Sequence, residues 1–80
     1  MKKILITGGA GYLGSAITRR LIEKHKVIVY DNLMYNQTSL LDLSNNPNFT
    51  FHYGDVREWS KLKYLVEQVD IVIPLAALVF

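Results

Sequence analysis

The stretch Thr7-Gly8-Gly9-Ala10-Gly11-Tyr12-Leu13-Gly14-Ser15 constrains the fold of this chain more than any other. It follows Ile4-Leu5-Ile6, a short continuous apolar run of the kind that forms a strand buried on both faces of a parallel sheet. From Tyr12 the period changes. Leu13, Ala16, Ile17 and Leu21 recur at three to four residues while Arg19, Arg20, Glu23 and Lys24 lie mostly elsewhere, which predicts an amphipathic helix. A strand that passes through glycines into a helix suits phosphate. Glycine permits the tight turn, and the unpaired N–H groups at the helix start, with the helix dipole behind them, face an anion.

The same alternation continues along the chain. Val27-Ile28-Val29-Tyr30, closed by Asp31-Asn32, is a second β-branched run, so the first thirty residues read as a βαβ unit. Thr38 or Ser39 can cap a short helix through Leu40, Leu41 and Leu43, ended by the turn-forming Asn45-Asn46-Pro47-Asn48. Phe49 to Tyr53 makes a third strand. Glu58 to Val69 carries Leu62, Leu65, Val66 and Val69 at helical spacing, and Ile71-Val72-Ile73 begins a fourth strand. Pro74 has no N–H for a sheet ladder, so that strand ends or kinks there. The fold class is α/β. Right-handed crossovers and the chain reversal of a doubly wound sheet predict the strand order 3-2-1-4, the first half of a Rossmann-type fold plus one strand.

Composition narrows the function classes. Half the residues are apolar and a fifth are charged, as in a globular domain. Nine basic and seven acidic residues are scattered, so no basic patch predicts nucleic-acid binding, and Trp59 and the five tyrosines read as packing residues. Without cysteine there is neither a disulfide framework nor a thiolate metal site, and His25 and His52 lack metal-ligand partners at useful spacing. The apolar run after Met1-Lys2-Lys3 stops too soon for a secretory signal, and Ile71 to Phe80 is about half a membrane span. A cytoplasmic location is expected, with no membrane partner.

The glycines fit two registers. Gly9, Gly11 and Gly14 give G-x-G-x-x-G, the dinucleotide fingerprint, while Gly8, Gly11 and Gly14 give T-G-x-x-G-x-x-G. In either, Gly11 lets the backbone approach a pyrophosphate, Gly14 lets helix and sheet pack closely, and the N–H groups of Tyr12 and Leu13 meet the phosphates. Asp31 lies seventeen residues beyond Gly14 and twenty-three beyond Gly8, which brackets the spacing of the carboxylate that binds the adenosine ribose. That carboxylate repels the 2′-phosphate of NADP. No Arg or Lys between Asp31 and His52 offsets it, so the expected cofactor is NAD rather than NADP.

Taken in order and spacing, "TGGAGYLGS", "VIVYDNL", "FHYGDVRE" and "DIVIPLAALV" resemble the extended short-chain dehydrogenase/reductase superfamily, nearest to its NAD-dependent nucleotide-sugar epimerases and dehydratases. The resemblance spans essentially the whole chain and selects the T-G-x-x-G-x-x-G register, with Gly8 as its first glycine. It implies that Asp31 and Asn32 flank the ribose and that Asp55 and Val56 hold the adenine. The Asp55 carboxylate would accept from the exocyclic amine and the Val56 N–H would donate to a ring nitrogen. It further implies that Leu75-Ala76-Ala77 pass beneath the cofactor. Pro74 stands where the superfamily often carries a histidine or tyrosine. By pattern alone Gly54-Asp55 also reads as a turn with a helix N-cap, and one carboxylate can serve both roles.

The superfamily's chemistry uses a Tyr-x-x-x-Lys pair with a Ser or Thr, and no tyrosine here has a lysine four residues later. Residues 1–80 are therefore expected to be the N-terminal part of an NAD-binding domain, with no catalytic residue of their own. In the parent protein a nucleotide-sugar substrate and homo-oligomer formation are expected. Two other parents fit the residues: an extended-family reductase or dehydrogenase with a non-sugar substrate, and a non-catalytic dinucleotide-binding sensor.

Overall fold

The computed structural model describes residues 1–8, 11–32, 40–55 and 57–75. The apolar runs form four strands: β1 (Lys3–Thr7), β2 (Lys26–Asp31), β3 (Phe49–Tyr53) and β4 (Ile71–Pro74). All three pairings are parallel, and the order across the sheet is β3-β2-β1-β4, as the alternation predicts. β4 ends at Pro74, which pairs with Thr7 at the last step of the register.

Two α-helices flank the sheet, α1 (Tyr12–Leu21) and α2 (Trp59–Val66), and they cover opposite faces. On one face, Ile17, Leu21 and Ile22 pack with Ile4, Ile6, Val27 and Val29. On the other, Leu62, Leu65 and Val69 pack with Leu5, Ile28 and Tyr30. Side chains of a strand alternate between faces, so β1 supplies Ile4 and Ile6 to one core and Leu5 to the other. This two-sided burial explains the continuous apolar runs of the two central strands.

Three local features differ from the apolar pattern. Leu13 and Ala16 are exposed, and the buried residues of α1 are Gly14, Ser15 and Thr18. The first turn approaches the sheet through small side chains, while Ile17 and Leu21 of the apolar stripe still pack on the core. The segment around Leu40 forms one 3-10 turn, Leu41–Leu43, in place of an α-helix. Arg19 anchors it from α1, its guanidinium donating to both carboxylate oxygens of Asp42 at 2.8 Å. Thr38 and Ser39, candidate caps for this segment, lie outside the described residues. Finally, α2 stops at Val66. Its end tightens through i→i+3 bonds from Gln68 and Val69 to the carbonyls of Leu65 and Val66, which leaves Val66 exposed and returns Val69 to the core.

The histidines have ordinary surroundings. The Nδ1 atom of His25 accepts the Lys2 N–H at 3.1 Å, and His52 sits half-buried in β3. Among the described residues, no helix is long and apolar enough to cross a membrane.

Candidate functional site

Parallel strands bring their C-terminal ends to one edge, and the register shows what gathers there. Thr7 pairs with both Tyr30 and Pro74, and Asp31 pairs with Tyr53. The next residues are Gly8, Leu75, Asn32 and Gly54-Asp55, so the described candidates after the four strands share one sheet edge. The strand order reverses between β1 and β4 at this edge, the position at which open α/β sheets bind ligands. Val56, Ala76 and Ala77 lie outside the described residues.

Gly8 sits at φ 79°, in the left-handed region that favours glycine. Its N–H donates to the Tyr30 carbonyl at 2.9 Å, and its carbonyl accepts the Gly11 N–H at 3.4 Å. The first glycine of the T-G-x-x-G-x-x-G register is thus demanded by backbone conformation. Gly11 differs. It is the N-cap of α1 with φ −74° and ψ 179°, a conformation open to any residue. Among the described residues, a Cβ there meets only the Gly8 carbonyl oxygen, at an ordinary 3.6 Å. Nothing among the described residues requires glycine at position 11.

Gly11 brings no side chain to cap the helix, and the first turn has no acidic residue to offset the dipole. The first intrahelical bond runs from Ser15 N–H to Gly11 C=O at 2.8 Å. Helix geometry therefore leaves the N–H groups of Tyr12, Leu13 and Gly14 without intrahelical acceptors. The Tyr12 side chain, 92% exposed, turns away from the core. Asp31 and Asn32, both half-buried, end and follow the neighbouring strand.

Asp55 lies in a tight polar network. Its carboxylate accepts from the Arg57 backbone N–H at 2.9 Å, from Arg57 Nε at 3.1 Å and from Arg57 Nη2 at 2.8 Å. In return, Glu58 Oε1 accepts the Asp55 N–H at 2.9 Å, and the Glu58 N–H donates to the Asp55 carbonyl. The reach of Glu58 back to the Asp55 N–H is one half of a capping-box pattern; the Asp55 carboxylate takes the Arg57 N–H rather than that of Glu58, and the N-cap of α2 is Glu58 itself. Asp55 therefore closes a turn three residues ahead of Glu58, the N-cap of α2, and is not the N-cap that its pattern alone allows. Among the described residues Oδ1 takes two donors and Oδ2 takes one, which leaves one acceptor direction on Oδ2 for a further donor.

Arg57 holds the Asp55 carboxyl down at about 2, first through its guanidinium hydrogen bonds and then through its backbone N–H. The folded value lies below the ordinary 3.8, so the stabilisation is complete above that value and is lost as pH falls through about 2. A carbon-detected NMR titration is expected to place the Asp55 midpoint near 2, and Arg57→Gln to move it up toward the ordinary carboxylate range. A midpoint unchanged by Arg57→Gln would remove the guanidinium as the cause.

Tyr30 is a participant that the strand pattern does not disclose. It is fully buried between β1 and α2, and its hydroxyl donates to the Asp55 carbonyl at 2.8 Å. Burial first, and then the charges of Glu58 and Asp55, raise its phenol above the ordinary value, so it stays protonated and able to donate.

A parallel sheet with helices on both faces, in the order β3-β2-β1-β4, defines a Rossmann-type fold. Residues 4–80 match the NAD dependent epimerase/dehydratase family, and this chain belongs to it. It is 39% identical to the dTDP-glucose 4,6-dehydratase of Neisseria gonorrhoeae over 95% of this chain and 24% of that one. It is 36% identical to the inverting UDP-N-acetylglucosamine 4,6-dehydratase of Campylobacter jejuni over 96% of this chain and 24% of that one. Among solved structures, the dTDP-glucose 4,6-dehydratase of Bacillus anthracis in complex with NAD superimposes with a TM-score of 0.83 at 26% identity, over 94% of this chain and 26% of that one. The UDP-Glc/GlcNAc 4-epimerase of Campylobacter jejuni gives 0.80 at 32% identity, over 94% and 24%. The chain spans about a quarter of the length of these relatives.

Proposed function

We propose that residues 1–80 are the NAD-binding portion of an enzyme that acts on a nucleotide-activated sugar. The observation that carries this reading is the uncapped start of α1, with a glycine at position 11 that none of the described residues requires, beside the carboxylate of Asp31 on the same sheet edge.

In this reading the N–H groups of Tyr12 and Leu13 hold the pyrophosphate and Gly11 admits it. Gly8 shapes the turn, and Gly14 lets α1 pack closely enough to aim its N-terminus at the phosphates. Asp31, with Asn32 after it, takes the hydroxyls of the adenosine ribose and disfavours a 2′-phosphate, so NAD is preferred over NADP. Asp55 offers its remaining acceptor direction to the adenine amine, and Val56 pairs with the ring. Leu75, Ala76 and Ala77 border the nicotinamide half. NAD, when bound, supplies a hydride acceptor at C4 of its nicotinamide. The chain's own residues fix where that ring lies.

The relatives named as dehydratases and an epimerase of dTDP- and UDP-sugars support the substrate class. In the full-length protein that carries this chain, Asp31→Ala is expected to weaken NAD by about 1.5–3 kcal/mol, through loss of charge-assisted hydrogen bonds. Calorimetry that found unchanged NAD affinity would take Asp31 out of the site.

A further inference from the structure

We infer that Tyr30 is the positioning residue for the adenine end of the cofactor site, because its buried phenol sets where the Gly54-Asp55 corner stands relative to β2 and the glycine turn.

Three contacts converge on this residue and its neighbour. The Tyr30 carbonyl accepts the Gly8 N–H at 2.9 Å, and its hydroxyl donates to the Asp55 carbonyl at 2.8 Å. The following carbonyl, of Asp31, accepts the Gly54 N–H at 3.1 Å. The glycine turn, the end of β2 and the corner after β3 are thereby tied together at one point. The ring itself fills the remaining space. A Cβ at Gly54 would fall on the phenol oxygen and stand 2.5 Å from Cζ and 2.8 Å from Cε2, so the corner rests directly on the ring. Tyr30 has no exposed surface, and Leu5 and Leu65 pack with it. Its position is therefore set by the core, and the corner is placed by it.

This inference rests on the proposed NAD site. It makes Tyr30 act through Asp55, whose carboxylate would recognise the adenine amine. Discrimination between NAD and its hypoxanthine analogue, which replaces that amine with a carbonyl, isolates the contact.

In the full-length protein, calorimetry is expected to show wild type preferring NAD to the analogue by about tenfold. Tyr30→Phe keeps the ring and removes the hydroxyl. It is expected to weaken NAD by about five- to tenfold and the analogue by less than about twofold. Asp55→Asn should abolish the preference in the same way, and adding Tyr30→Phe to it should change NAD affinity by less than about twofold. Equal weakening of both dinucleotides, weakening of neither, or a full Tyr30→Phe effect in the Asp55→Asn background would overturn the inference. A wild type that binds NAD and its analogue equally would also overturn it, while leaving the NAD site standing. A wild type that binds neither would remove both readings.

Discussion

A Gly11→Val protein is expected to fold and to bind no measurable NAD. The two halves of that expectation have separate physical sources. On the protein side, φ −74° and ψ 179° suit any residue, and a Cβ makes only an ordinary contact with the Gly8 carbonyl. The internal loss is then the poorer N-cap preference of valine, at most about 1 kcal/mol. On the ligand side, pyrophosphate must come within hydrogen-bond distance of the N–H groups of Tyr12 and Leu13. A branched side chain at the cap stands in that approach. A fall in affinity of at least about a hundredfold, about 2.7 kcal/mol, is expected by calorimetry, with urea unfolding little changed. Wild-type NAD affinity in this variant would overturn the placement of the cofactor on α1.

Gly54→Ala is expected to behave in the opposite way, as a loss of stability. Here the obstacle is inside the protein, since the added Cβ meets the phenol oxygen, Cζ and Cε2 of Tyr30. Neither side has room to yield. The ring is fully buried, and the corner is held by Gly54 N–H on the Asp31 carbonyl. Overpacking of this kind costs about 1–3 kcal/mol, and the fixed backbone puts this case near the top, at about 3 kcal/mol. Denaturant unfolding measures it, and a double-mutant cycle assigns it. Tyr30→Leu destabilises by itself, but in that background Gly54→Ala should cost less than about 1 kcal/mol. The same cost in both backgrounds would clear the ring of responsibility.

What the sequence discloses and what it hides follow from range. β1 and β2 are legible because each is buried on both faces, so apolarity is continuous and needs no partner to be recognised. The strand order follows from the alternation and from the reversal that a doubly wound sheet requires. The glycine turn and Asp31 carry spacing signals that are local. The contact face of α1 is legible only in part, because Ile17 and Leu21 of the apolar stripe do pack on the core and Gly14 is buried, while Leu13 and Ala16 are exposed and Ser15 and Thr18 are buried in their place. The turn that Asp55 closes has a local signature, a carboxylate that accepts the N–H two residues on. The service of Tyr30 to Asp55 has none, since parallel pairing of β2 with β3 creates it across 25 positions.

The division of the core by the sheet has a consequence for how such a site can change. The glycine turn leads into α1, which is seated on Ile4, Ile6, Val27 and Val29. The Asp55 corner leads into α2, seated on Leu5 and Tyr30. In the proposed site, the grip on pyrophosphate and the grip on adenine have separate foundations on opposite sides of one sheet. Repacking at even positions of β1 would retune the first, and repacking at Leu5 the second. A lineage could alter its preference for the base without disturbing its hold on the phosphates.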